Sequence, residues 1–128
     1  LHGIERSFFD YIARGVPYGP DDGTVAPWAV VASLPFAPEI VLSTVRHFQD
    51  VYPRVTGEYC FRCSFNLSFP NEADADAGWT SPYHFGINLG PVVLMCENHR
   101  SGLPWSLMRG CRYVVTGLRR AGFTNGWL

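Results

Sequence analysis

The chain predicts a mainly α fold in which short helix pairs are joined by glycine–proline loops and interrupted by one extended segment. Three observations predict it. Glycine (13) and proline (10) punctuate the 128 residues, and several prolines sit where a helix starts or must stop. Between those stops, apolar residues recur at helical spacing. From Glu58 to Phe69 the period drops to two, placing Tyr59, Phe61, Cys63, Phe65 and Leu67 on one face.

The elements follow in order. Leu1 to Arg14 carries Phe8, Phe9, Tyr11 and Ile12, enough for a short helix. Gly15 to Gly23 reads as a loop, because Pro17, Gly19, Pro20 and Gly23 exclude regular structure. Pro27 suits a first helical turn with Thr24 as a cap. Trp28 to Leu34 is apolar all round, as in a buried helix. Pro35 stops that helix and Pro38 starts the next, with Ile40, Val41, Thr44, Val45 and Phe48 as its stripe and Pro53 at its end. Pro70 to Gly78 is a polar loop. Gly90 to Asn98 reads as a buried apolar helix closed by Ser101-Gly102. Leu103 to Met108 and Cys111 to Ala121 then make a helical hairpin, with Gly122 as its terminal cap.

Composition narrows the partners. Hydrophobic residues make up 47% and charged residues only 16%, against roughly 25% in an average domain. Such a deficit suits a piece whose apolar surface is covered by missing neighbours. The sequence begins at Leu1 in mid-pattern, which reads as an internal piece of a longer protein. All ten basic residues are arginine and the net charge is −1. The arginines are scattered, so no nucleic-acid footprint emerges. No apolar run reaches the ~18 residues of a membrane helix. No cofactor is implied and no metal site is expected. Cys60 and Cys63 form a lone CxxC pair, and residues three apart in an extended segment face opposite sides.

Several blocks resemble the glucoamylase-like family of bacterial carbohydrate enzymes, which includes endo-β-1,2-glucanases. They are Asp22-Gly23-Thr24-Val25-Ala26-Pro27, Leu34 to Glu39, Tyr59 to Asn66, Ser81 to Pro91, and Leu94 to Gly102 with Trp105. The blocks keep the family's order and span roughly residues 11 to 123. The resemblance implies that residues 1–128 are the C-terminal portion of a catalytic domain built as an (α/α)6 toroid, with the remainder of that toroid as its partner. It also implies an oligo- or polysaccharide ligand, a parent acting on β-glucan, and export to the periplasm or beyond. Departures accompany the likeness. Cys63 and Asn88 stand where the family pattern has aspartates, Leu89 replaces a glutamine, and His84 replaces an acid. A thiol or amide cannot do a carboxylate's proton transfer, so a degenerate homologue that binds glycan without turnover is the rival reading.

Glycoside cleavage uses two carboxyl groups across the scissile bond, and Glu39 and Glu97 are the catalytic candidates. Each has a plainer reading. Glu39 suits the start of a helix dipole, and Glu97 could pair with Arg100. Asp22, Asn66, Trp79, Tyr83, His84, Asn88 and Arg100 are the substrate-binding candidates. Asp22 could equally make an Asx turn. Trp79 and Tyr83 lie in loops where flat rings suit sugar C–H faces, whereas Trp28 reads as core.

Overall fold

Among the described residues, five helices and two small β-hairpins are built around a cluster of phenylalanines. The computed structural model describes residues 21–70, 78–126 and 128. The helix expected over Leu1 to Arg14, most of the glycine–proline loop after it, and most of the polar loop before Gly78 lie outside these residues.

Helix α1 spans Pro27–Ala32 and α2 spans Pro38–Val51, each with a proline in its first turn as expected. Proline costs nothing there, because that N–H has no helical partner. The N-cap of α1 is Ala26 rather than Thr24, whose side chain is engaged elsewhere. After α2, a single 3-10 turn over Pro53–Val55 leads into the hairpin.

The expected extended segment is broken into β1 (Thr56–Gly57), β2 (Cys60–Phe61) and β3 (Phe65–Asn66). Strands β1 and β2 pair antiparallel with Gly57 opposite Cys60. Cys60 has φ +74°, a left-handed backbone that interrupts the alternation. Tyr59 is therefore turned out to solvent, while Phe61, Cys63 and Phe65 point inward as the pattern requires. Strand β3 pairs antiparallel with β4 (Trp79–Thr80).

Phe48 of α2 is the centre of the core. Its ring lies edge-on to Phe61 at 5.9 Å and to Phe65 at 5.7 Å. Tyr52 tilts against Phe65 at 5.4 Å, and Val30, Val31, Val45 and Tyr52 line the periphery. Edge-to-face rings add about 0.5–1.5 kcal/mol per pair beyond their area.

Helix α3 runs from Gly86–Ser101, starting a turn earlier than the sequence suggested, because Pro91 lies inside it rather than at its start. It is not uniformly apolar and buried either: Asn88 and Asn98 are buried, and Val93 and Leu94 are exposed. Gly102, at φ +69°, ends α3 and simultaneously caps α4 (Leu103–Gly110); α5 covers Arg112–Arg120. Helix α1 packs against both α2 and α3, α4 against α3, and α5 against α4. Among the described residues, no helix is long and apolar enough to cross a membrane.

Candidate functional site

The segment after Asp21 enters the core as an isolated antiparallel bridge, with Val25 and Phe65 exchanging backbone hydrogen bonds of 2.8 and 3.0 Å. That bridge brings the acidic block to the side of β3. Asn66, the next residue, is wholly buried. Its Nδ2 donates to the Asp22 carbonyl at 2.8 Å and to Thr24 Oγ1 at 3.0 Å, and its Oδ1 accepts from the Ser68 amide at 2.8 Å. A side-chain amide offers two donors and one acceptor group, and all are engaged. Asp22 Oδ1 in turn accepts the Thr24 amide at 3.0 Å, the Asx turn its sequence allows.

Trp79 stands directly opposite Asn66 in the β3–β4 register and is half-buried. Gly78 makes that approach feasible. Its φ is +68°, and a Cβ there would lie 2.7 Å from Leu67 Cα and 2.9 Å from the Asn66 carbonyl oxygen. Asp22, Asn66 and Trp79 therefore form one cluster, in which the asparagine sets the relation between the acid's backbone and the indole's strand.

The next strand-like stretch carries the second group. Ser81 is fully buried, its amide donates to the Ser64 carbonyl at 2.9 Å, and Cys63 N donates to the Tyr83 carbonyl at 3.2 Å. Tyr83 is exposed and tilts against Phe85 at 5.8 Å. His84 lies on the other side. Its ring sits over Gly57, where a Cβ would be 2.6 Å from Nε2, and meets Tyr59 edge-on at 5.7 Å. Its Nδ1 is buried without a partner among the described residues. Asn88, in the first turn of α3, donates Nδ2 to Cys63 Sγ at 3.0 Å, both being buried. Cys63 and Asn88, the two positions where the resemblance leads one to expect aspartates, are thus direct neighbours.

Glu97 and Arg100 lie nine and more residues further along α3 than Asn88, about 13 Å or more away along the axis. The guanidinium grips the carboxylate with two 2.8 Å bonds, Nε to Oε2 and Nη2 to Oε1. Ser101 Oγ donates to the same Oε1. Arg100 first, then Ser101, holds the Glu97 carboxyl below the usual carboxylate range. As placed, Glu97 is an ionised acceptor and not a proton donor. Glu39 is exposed in the first turn of α2. Asn98 also matters. Its buried Oδ1 accepts the Trp105 amide at 2.9 Å, so α3 caps the first turn of α4 across Gly102. Thr24, expected as a helix cap, instead accepts from Asn66, while Ser81 and Asn98 escaped the sequence reading because a satisfied buried polar residue looks like any loop or helix polar residue. The Asx and cap patterns were the available signals.

Cys60 is exposed and Cys63 buried, and the four cysteines are free. No cluster of three or more histidine, cysteine or acidic side chains suited to a metal occurs among the described residues.

Residues 3–112 match the Glycoamylase family model, described as "Putative glucoamylase". Over 101 residues the chain is 34% identical to an exo-β-1,2-glucooligosaccharide sophorohydrolase of Parabacteroides distasonis, covering 78% of this chain and 13% of that protein. The fold resembles a "putative glucoamylase" from Bacteroides uniformis with TM-score 0.68 and 39% identity, over 86% of this chain and 25% of that one. It also resembles the endo-β-1,2-glucanase of Chitinophaga pinensis, solved with sophorotriose and glucose, with TM-score 0.67 and 31% identity over 84% and 24% of the two chains. The chain thus spans about a quarter or less of the length of these relatives.

Proposed function

Because the chain belongs to the Glycoamylase family, we propose that it is the C-terminal portion of a glycoside hydrolase domain, supplying one wall of a β-glucan cleft. The observation that carries this reading is the Asn66 clamp, which holds the Asp22 segment beside the strand of Trp79. A carboxylate that accepts sugar hydroxyls next to an aromatic face that takes the C–H side is the chemistry a pyranose requires. Asp22 and Trp79 contact sugar in this reading, and Tyr83 adds a second exposed ring. Asn66 acts through Asp22. Support for a β-1,2 linkage comes from the relatives named for that linkage. A parent working on polysaccharide would be exported.

The two candidate acids differ in what they can do. Glu97, held ionised by Arg100 and Ser101, suits stabilisation of positive charge rather than proton transfer. Glu39 is free to reach a ligand that approaches the start of α2. A second reading is favoured by the buried amide–thiol contact of Asn88 and Cys63: a homologue that binds β-glucan without cleaving it. The test is incubation with linear β-1,2-glucan, following both released reducing ends and retention in a glucan-containing gel. Turnover that falls in Glu97→Gln supports the hydrolase. Retention without turnover selects the binder. Neither turnover nor retention ends both readings.

A further inference from the structure

The arginines are spread along the chain, but the acids are not. Every aspartate and glutamate lies at or before Glu97, whereas residues 98–128 hold Arg100, Arg109, Arg112, Arg119 and Arg120 and no acid. Glu97 takes up Arg100. The α4–α5 hairpin therefore has cations and no carboxylate of its own. On α5, which packs on α4, Val114, Val115 and Leu118 are the half-buried side. At 3.6 residues per turn, Arg119, Arg112, Thr116, Arg120 and Tyr113 fall within an arc of about 120°. All five are exposed, Tyr113 at 73%. The Arg112 guanidinium lies 4.8 Å over the Tyr113 ring and donates to its hydroxyl at 2.8 Å, a brace that leaves its charge unneutralised. Among the described residues, no carboxylate forms an ion pair with Arg112, Arg119 or Arg120.

Helix electrostatics account for part of this pattern. Arg119 and Arg120 lie in the last turn of α5, where cations suit the macrodipole. Arg112 lies in the first turn, the end that disfavours a cation, and no acid accompanies it there. Its position weakens the helix, so folding alone does not explain it. Covering this arc with protein would bury three cations, and each would need a counter-charge. A neutral glucan offers none.

We propose that the outer face of α5 is a docking surface for an anionic phospholipid bilayer, which holds the chain at a membrane surface without crossing it. Guanidinium groups match phosphate oxygens in pairs. Tyr113, and Phe123 just past the helix at 60% exposed, are the kind of side chain that settles at headgroup level. Leu107 and Met108 add exposed apolar side chains on the same hairpin. A nucleic acid presents phosphates at fixed spacing along a track, whereas Arg112 to Arg120 spans only about 12 Å. Lipid headgroups move in the plane and gather under a patch that short.

The test mixes the 128-residue chain with vesicles of phosphatidylcholine, with and without phosphatidylglycerol, and measures the fraction that sediments. Binding is expected only with phosphatidylglycerol, and it should fall as added salt shortens the screening length. Arg112→Gln, Arg119→Gln and Arg120→Gln should each weaken it about fivefold, and the three together about a hundredfold. The corresponding triple lysine variant keeps the charge and should still bind. Arg46→Gln, exposed on α2, should leave binding unchanged. These positions are all exposed, so the variants keep the fold, which circular dichroism checks. No binding, equal binding to both vesicles, a triple glutamine variant that binds like the parent, or tighter binding to duplex DNA at the same salt overturns the proposal. The glycan reading is tested apart from this one. Asp22, Trp79 and Tyr83 lie outside the hairpin, so the triple variant should retain whatever glucan binding the parent shows.

Discussion

Asn66 is fully buried and makes two hydrogen bonds to a segment it meets only in the folded chain and a third, local one from the Ser68 amide. Asn66→Ala should cost about 2–4 kcal/mol, because it strands buried polar groups as well as removing bonds; urea denaturation reads this directly. The Glu97–Arg100 pair predicts a pH effect of definite sign. The folded-state pKa of Glu97 is lowered, so its contribution is present above the unfolded value of about 4.3 and is lost as pH falls through the lower folded value. A carbon-detected NMR titration should place the Glu97 midpoint below that of an ordinary glutamate, and Arg100→Gln should return it. The Cys63–Asn88 contact predicts an asymmetry. Cys63→Asp alone keeps Asn88 Nδ2 as donor and should be tolerated, whereas adding Asn88→Asp puts two buried carboxyls side by side. One of that pair would then hold its proton above the normal range. Its raised folded pKa means that stability is greatest at low pH and falls as pH rises, visible as a melting temperature that drops between about pH 4 and 7. These placements were only partly legible in the sequence. Asp22 declared its Asx turn, but nothing local to Asn66 says that its partners lie more than 40 residues away.

Helix starts were legible because proline acts locally: Pro27 and Pro38 open α1 and α2 where their fixed φ allows. The start of α3 was less legible: its apolar run reads from Gly90, whereas Gly86 begins the helix and Pro91 sits within it. Tertiary packing outweighs the lost hydrogen bond there. Pro91→Ala should therefore stabilise α3 by about 1–3 kcal/mol, measured as a rise in melting temperature. The period-two segment was read correctly in its inward residues, Phe61, Cys63 and Phe65, and missed at its ends. Tyr59 is exposed because the left-handed turn at Cys60 resets the alternation, and Leu67 is exposed just past the end of β3. Gly78 carries the β3–β4 hairpin. Gly78→Ala meets backbone atoms under 3 Å away as well as an unfavourable φ, and should cost about 2 kcal/mol or more.

For the molecule as a whole, a mainly helical fold and the family were both legible, the first from punctuation and period, the second from the order of blocks. The bounds of the two hairpins and the row-like packing were not, since both depend on contacts between distant segments. Among the described residues, six hydrophobic side chains form the buried core against a long set of exposed ones that includes Phe36, Ile87 and Tyr113. Phe48→Ala, which removes the ring contacts to both Phe61 and Phe65, should cost about 3–5 kcal/mol. The Val25–Phe65 bridge carries a consequence in time. Some 40 residues separate its halves, so the acidic block cannot be set by local helix formation. It must wait for α2 to dock on the hairpins and for the entropy of closing that long loop to be overcome. During refolding, the backbone amide of Val25 should become protected from exchange after helical circular dichroism has recovered, making the Asp22–Asn66 clamp a late feature to mature.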